Sequence, residues 1–315
     1  MTYDLVIIGT GAAGLSAAIY AERYKLNTLL IGEEFGGETA TAGAIENWPG
    51  NKIIDGYELM AAMKEQALAA GAEIREGRVI RVKKKDACFD VFTEKESVHA
   101  KAVILAIGAQ RRHLNLPNEK ELTGKGVHYC VTCDGPVYAK KTVAMVGGGD
   151  SSVKGVNFLA EYAEKIYLIT REKEPHAEPV NMERMKAHGE KVEILAETQV
   201  KEIVGEKKLE SLVLSRSYRG EERLAVDGLF VEIGFDPDKT FADQLGLELD
   251  ERGYLKADNM MRTNVPGVFP AGDAVNHFEG FKQDITAAAL GAVAATSAYD
   301  YVRKNGSRCE FHASA

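Results

Sequence analysis

The chain of 315 residues has only four cysteines and a single tryptophan. Four cysteines without a disulfide-rich pattern argue against a stapled secreted scaffold and point to a reducing cytosol. An excess of positive charge is also missing. Lys and Arg number 39 against 47 Asp and Glu, a formal net charge of −8. That balance argues against a nucleic-acid surface and for a soluble protein. No apolar run is long enough to span a bilayer. The longest near the C-terminus, Ile285 to Ala298, is Ala-rich and reads as a buried helix. Met1 to Asp4 has no charged n-region and runs straight into a strand, so no signal peptide is expected. With 45% hydrophobic residues, general disorder is not expected, and the length suits two domains.

Against that background one stretch stands out: Tyr129-Cys130-Val131-Thr132-Cys133-Asp134-Gly135. Cys-x-x-Cys at the start of a helix places both sulfurs within disulfide reach. A helix N-terminus and nearby cations favour the thiolate, the reactive form. Asp134 is then a candidate acid for a leaving thiolate. The competing reading is half of a zinc site. Structural zinc needs two further Cys or His ligands at suitable spacing. Cys88 and Cys309 are isolated in the sequence, and His128 alone does not complete a site, so no metal is expected.

The rest of the chain reads as dinucleotide-binding machinery. Tyr3 to Ile8 is a continuous apolar strand, followed by Gly9-x-Gly11-x-x-Gly14 and a helical pattern from Leu15 to Tyr24. Glycines in that context permit a tight turn and let a pyrophosphate approach the helix N-terminus. Thr28 to Ile31 is the second strand. Glu33 or Glu34 follows, at about the ~20-residue spacing of a ribose-binding acid; a solvated loop acid is the alternative. Gly36-Gly37-Glu38 and Glu46-Asn47-Trp48-Pro49-Gly50 punctuate a loop. Trp48 there either packs in the core or lines a ring-shaped cofactor. Tyr57 to Ala70 is an amphipathic helix ending at Gly71. Glu73 to Ala100 alternates as an antiparallel meander, with Lys83 to Lys85 expected at a solvated hairpin turn. Ala102 to Ile107 is a buried strand before Gly108.

After Leu116-Pro117 the plan repeats. Lys141 to Val146 is a strand, Gly147-Gly148-Gly149 a second glycine turn, Val153 to Ala163 a helix, and Lys165 to Thr170 the next strand. Val192 to Val226 echoes the meander, Gly228 to Ile233 is a strand, and Gly253 to Val265 reads as a final hairpin. Ala271-Gly272-Asp273 can place a carboxylate on a ribityl chain. Lys282-Gln283 precedes a long Ala-rich helix whose N-terminal dipole suits an anionic ring. The tail after Lys304 reads as frayed, and Cys309 within it as a bystander.

These motifs, in this order and over nearly the whole length, resemble the low-molecular-weight thioredoxin reductases. The resemblance implies an α/β protein of two Rossmann-like, three-layer domains for FAD and NAD(P), with antiparallel β-meanders. Residues 1–113 and 243–315 would form the FAD domain, with 114–242 inserted between its halves. FAD would be held by Gly9, Gly11, Ala12, Gly14, Glu33, Glu38, Asn47, Gly108, Gly272, Asp273, Lys282 and Gln283. Cys130 and Cys133 would be the redox disulfide, Cys133 facing the flavin and Cys130 attacking a thioredoxin-type partner, with Asp134 as the acid. The family is usually homodimeric and the expected location is cytoplasmic.

Two departures bear on the electron donor. NADPH-using members similar to this chain carry several arginines after the second strand of the inserted domain, where a planar cationic fork holds the 2′-phosphate. Here that place reads Thr170-Arg171-Glu172-Lys173-Glu174-Pro175. Lys154 stands where such members have a nicotinamide-contacting Glu, and Gly155 where a second acid is common. A branch of the family with similar losses takes electrons from reduced ferredoxin, which is the donor expected here. The alternatives are NADPH or NADH, the latter with Glu172 on a free ribose hydroxyl. A flavin-binding redox module or a diaphorase would leave Cys130-x-x-Cys133-Asp134 without a purpose.

Overall fold

The computed structural model describes residues 2–305 and Cys309. The chain divides into two compact units, residues 1–110 with 237–315, and residues 111–236. The joints fall a few residues before 113/114 and 242/243, where the resemblance would put them.

In the first unit the strand Thr2–Ile8 is apolar on both faces, and Leu5, Val6 and Ile7 are fully buried. A parallel strand covered by helices on both sides has that composition. Thr28–Gly32 and Ser97–Leu105 flank it in parallel, and Glu73–Glu76 pairs in parallel beyond Thr28–Gly32. Glu73–Glu76 is therefore not part of the antiparallel meander expected from alternation. The meander consists of Val79–Lys85, Cys88–Thr93 and the first half of Ser97–Leu105. The second half of Ser97–Leu105 pairs in parallel with Val268–Pro270. Lys83 to Lys85 are exposed, but they lie on a strand, and the turn is made by Asp86 and Ala87. Asp86 adopts the left-handed conformation (φ 52°) that a tight turn requires.

Two helices close one face of this sheet. Ala12–Arg23 and Asp284–Asn305 approach so closely that a Cβ on Gly291 would run into the carbonyl oxygen of Ala13. The Ser16 hydroxyl donates to the Ala288 carbonyl at 2.7 Å across the same contact. Small side chains are what such an approach demands, which accounts for the alanine-rich run. The helix Gly56–Ala70 starts on Asp55, whose carboxylate accepts from the Tyr57 and Glu58 N–H groups, and stops at Gly71 (φ 118°).

The hairpin expected over 253–265 does not form. A single bridge joins Leu249 to Leu255. Asp250 instead accepts the N–H groups of Arg252 and Tyr254, and Asp258 those of Met260 and Arg262. Local side-chain acceptors compete with a ladder for these donors.

The second unit is built on a five-stranded parallel sheet among the described residues, in the order Val127–His128, Gly228–Val231, Thr142–Val146, Lys165–Ile169, Val192–Leu195. Both faces are covered. Val143, Met145 and Phe230 pack with the helix Asp150–Leu159 on one side, and Ala144, Val146, Leu229 and Val231 with an antiparallel sheet on the other. That sheet comprises Val200–Val204, Ser211–Tyr218 and Glu221–Ala225. Both units are mixed α/β around a parallel core, the class expected from two strand–glycine–helix units.

Cys88 and Cys309 form a disulfide within the first unit, with their Cα atoms 5.5 Å apart and both residues buried. This corrects the sequence reading on two points: Cys88 is not isolated and Cys309 is not a bystander. Apart from Asn305 and Cys309, the segment expected to fray lies outside the described residues. No helix among the described residues is long and apolar enough to cross a membrane.

Candidate active site

In the first unit the three glycines after Thr2–Ile8 have separate jobs. A Cβ on Gly9 would collide with the Ala106 carbonyl, and one on Gly14 with Gly9 itself, so both serve close packing. A Cβ on Gly11 would meet nothing nearer than the Gly36 carbonyl oxygen, 3.8 Å away. Gly11 therefore leaves open the space beside the N-terminus of Ala12–Arg23, whose first turn carries no acid. Backbone N–H groups and the positive end of the helix suit a pyrophosphate there. Ala12 is buried in the same turn. Glu33 and Glu34 lie exposed just beyond Thr28–Gly32; Glu33 pairs with Arg78 at 3.6 Å, and the Glu34 carbonyl accepts from Thr10. Gly108 follows the parallel strand in the left-handed region (φ 68°), with no atom near its Cβ direction. Trp48 is half-buried against the core.

A second cluster gathers at the start of Asp284–Asn305. The Asn47 amide donates to the Gln283 side chain at 2.9 Å, and the Thr39 hydroxyl to Asp284 at 2.5 Å. Lys282 Nζ donates to the carbonyls of Asp273 and Val275 and lies 4.2 Å from the Tyr254 ring centre. Burial pushes the Asp273 carboxyl up from its ordinary value; the Lys282 charge opposes this, and Asp284 and Glu38 add to it. Burial lowers Lys282, against the charges of Asp273 and Asp250. Asn276 Oδ1 is buried without a partner among the described residues. An open glycine turn, a half-buried carboxylate and a spare acceptor fit a flavin dinucleotide. Thr39 and Asp284 were not found from the sequence, because their pairing spans most of the chain.

In the second unit Cys130 caps the short helix Val131–Asp134, and its sulfur accepts the Cys133 N–H at 3.2 Å. Cys130 and Cys133 are bonded to each other, their Cα atoms 5.3 Å apart. Cys130 is half-buried and Cys133 exposed. The preceding strand is pinned from two sides. Arg111 donates to the Tyr129 carbonyl and pairs with Glu232 at 2.9 Å. The Tyr129 hydroxyl donates to the buried Glu119, which also accepts the Leu114 and Leu116 N–H groups. Burial and the Glu119 bond raise the Tyr129 hydroxyl far above its ordinary value, so it stays a donor. Asp134 Oδ2 lies 3.0 Å from His128 Nδ1. Gly155 lets the helix Asp150–Leu159 approach, since a Cβ there would press on Met145 and Val131.

The second glycine turn differs from the first. Its helix begins with Asp150, whose carboxylate accepts the Glu178 N–H and the Asn181 amide and pairs with Lys154 at 2.9 Å. Burial alone would raise Asp150, but the bonds from Lys154, Asn181 and the Glu178 N–H outweigh it and hold the carboxyl below its ordinary value. The His176 N–H donates to the Gly148 carbonyl at 2.7 Å, folding the 171–178 segment back on the turn. Arg171 is exposed and pairs with the neighbouring Glu172 at 3.3 Å.

Residues 3–295 match the family described as pyridine nucleotide-disulphide oxidoreductase. A thioredoxin reductase of Mycolicibacterium smegmatis is 41% identical over 300 residues, covering 94% of this chain and 95% of that protein. The chain belongs to the thioredoxin reductases. The Lactococcus lactis thioredoxin reductase structure superposes with a TM-score of 0.90 at 35% identity, over 96% of this chain and 99% of that one. A ferredoxin-flavin thioredoxin reductase from Clostridium acetobutylicum gives 0.52 at 32% identity, over 96% and 99%. Thioredoxin reductases are FAD-dependent flavoproteins that reduce the disulfide of thioredoxin, and the cradle of the first unit is consistent with that cofactor.

Proposed function

We propose that this thioredoxin reductase passes electrons from reduced ferredoxin through FAD and the Cys130–Cys133 pair to thioredoxin. The observation that carries the donor assignment is the state of the second glycine turn. Arg171, the arginine of the segment after Lys165–Ile169, is paired with Glu172, and Lys154 is drawn onto Asp150. A 2′-phosphate would have to displace a carboxylate from Arg171 and would meet Glu172 and Glu174 beside it. One observation favours NADH as a second reading: Gly149 has no atom within 4 Å of its Cβ direction, so backbone approach is still open.

Gly11 and Ala12 would hold the pyrophosphate at a turn that Gly9 and Gly14 shape by close packing, and Glu33 would hold the ribose. Glu38, Asn47, Gly108, Gly272, Asp273, Lys282 and Gln283 would hold the flavin end. When bound, FAD supplies the two electrons that open the Cys130–Cys133 bond. Asp134 gives a proton to one sulfur. Cys130 then attacks the thioredoxin disulfide, and Cys133 resolves the mixed disulfide by exchange. Residues 114–242 work as an insertion carrying this pair. A second copy of the chain completes a homodimer. The proposed location is the cytoplasm, where the Cys88–Cys309 bond would be shielded from thiols by its burial.

The test is an anaerobic titration of the oxidised holoenzyme with NADPH, NADH and reduced ferredoxin, following flavin absorbance. Bleaching by ferredoxin alone is expected. Rapid bleaching by NADPH would sink the donor assignment.

A further inference from the structure

His128 sits between two groups of the redox segment. It lies in the short strand Val127–His128 and is 6% exposed. Its Nδ1 is 3.0 Å from Asp134 Oδ2, and its Nε2 is 2.7 Å from the Tyr138 hydroxyl. The ring stacks on Phe230 with centroids 5.3 Å apart, and Tyr138 meets the same Phe230 edge-on. Both ring nitrogens are therefore engaged, and the imidazole cannot turn without breaking two bonds. The groups facing it are few: Asp134 from the helix that carries Cys133, Tyr138 from the turn after it, and the uncharged Phe230 from the sheet. Beyond Tyr138 stand Asp227, which acts on the hydroxyl by its charge, and Lys141, 5.7 Å from the ring centre.

We propose that His128 is a positioning residue that keeps the proton used by Asp134, so that the imidazolium and the carboxylate act together as the acid of the disulfide. This rests on the reading that Cys130–Cys133 is the redox pair and Asp134 its acid. In the oxidised enzyme Asp134 is ionised and His128 carries both protons, donating Nδ1–H to Asp134 and Nε2–H to the Tyr138 oxygen. Two electrons enter the Cys130–Cys133 bond and break it. Asp134 takes the proton from Nδ1 and passes it to one sulfur. The products are one thiol, one thiolate, an ionised Asp134 and a neutral His128 that keeps its Nε2–H. The thiolate attacks the thioredoxin disulfide. When the remaining thiol closes the bond again, its proton returns through Asp134 to Nδ1, and the departing thioredoxin thiolates are protonated by solvent. Burial and the charges of Asp134 and Asp227 push the Tyr138 hydroxyl up to about 12, so it stays neutral throughout. Asp134, with 39% of its side chain exposed, is the connection to water.

The experiment uses holoenzyme, reduced beforehand, mixed rapidly with oxidised thioredoxin over a range of about pH 5 to 9, which spans the ordinary imidazole titration. The parent rate should show a break in that range and a solvent deuterium isotope effect. His128→Phe keeps the stack on Phe230 and removes both nitrogens. His128→Asn keeps a donor toward Asp134 but cannot titrate. Both should lose the break, with a rate loss of about tenfold or more, within the usual contribution of a positioned acid. His128→Asn should retain more activity than His128→Phe. An unchanged profile and isotope effect in His128→Asn would overturn the proposal even where His128→Phe does not fold. Cys133→Ser in the same assay separates the two levels. If Cys133→Ser turns over fully, the disulfide reading itself fails. If it is dead while His128→Asn keeps the parent profile, only the relay fails.

Discussion

Removing the Cys88–Cys309 bond should lower the stability of the first unit by a readable amount. The bond spans a sequence separation of 221 residues. A cross-link acts mainly by limiting the unfolded chain, and loops of about 100 residues or more correspond to roughly 5 kcal/mol in the chain-entropy picture. The second unit, residues 111–236, lies wholly inside the loop. If it stays folded while the first unit unfolds, the flexible length roughly halves. Halving a loop changes closure by only about 0.6 kcal/mol, so the expectation survives either case. Measured disulfides usually give less than the model, so Cys309→Ser should cost about 3 to 5 kcal/mol. At roughly 2 to 4 °C per kcal/mol for a unit of this size, the melt should fall by about 10 °C. The assay is flavin release followed by fluorescence, because the cofactor reports on the first unit. Mutation is required instead of a reductant, since thiols would also open Cys130–Cys133. Free-thiol titration of the unfolded, unreduced protein should find none. A melt within about 1 °C of the parent would refute the entropic argument at this scale.

Cys133→Ser should retain FAD and lose thioredoxin turnover, checked by the bound flavin spectrum beside a thioredoxin-coupled assay; full turnover would end the disulfide mechanism. The double variant Lys154→Glu with Glu172→Arg should gain flavin bleaching by NADPH, by restoring an acid near the nicotinamide and a free fork for the phosphate. Asp273 has a folded-state pKa raised above its unfolded value. Its contribution is full below the unfolded pKa and is lost as pH rises through the folded one. Asp273→Asn should therefore raise the melting temperature of the cofactor-free protein more at about pH 8 than at about pH 4, while weakening FAD binding. Equal effects at both pH values would mean that the carboxyl is not desolvated.

Much of this fold could be read from local pattern. Strand, glycine turn and helix lie next to one another in the chain, and the turn's steric needs act over a few residues. Thr2–Ile8 and Thr142–Val146 were visible for that reason. What depended on distant partners was hidden. Glu73–Glu76 alternates like an edge of the meander, yet its partner is Thr28–Gly32 on the far side of the sheet. Asp250 and Asp258 stop a hairpin by drawing nearby N–H groups to their side chains, which the apolar alternation does not reveal. Cys88 and Cys309 meet only because Cys88–Thr93 and Cys309 belong to one unit. At the redox segment the Cys-x-x-Cys-Asp spacing was plain. His128 was visible only as a failed metal ligand, because its link to Asp134 needs the strand and the helix to be placed together.

The order of the two units along the chain bears on how the protein is made. Residues 111–236 can collapse as soon as they leave the ribosome, since their sheet is complete in itself. The first glycine turn emerges earlier but must wait. Its sheet lacks Val268–Pro270, and the helix Ala12–Arg23 lacks the cover of Asp284–Asn305, until those residues have been made. Until then Leu5, Leu15 and Ile104, all fully buried in the finished protein, lack part of their cover. Domains generally fold N-terminal first as they are synthesised. Here the unit begun before the other is finished after it, and the nascent chain needs protection mainly over the residues that precede 111.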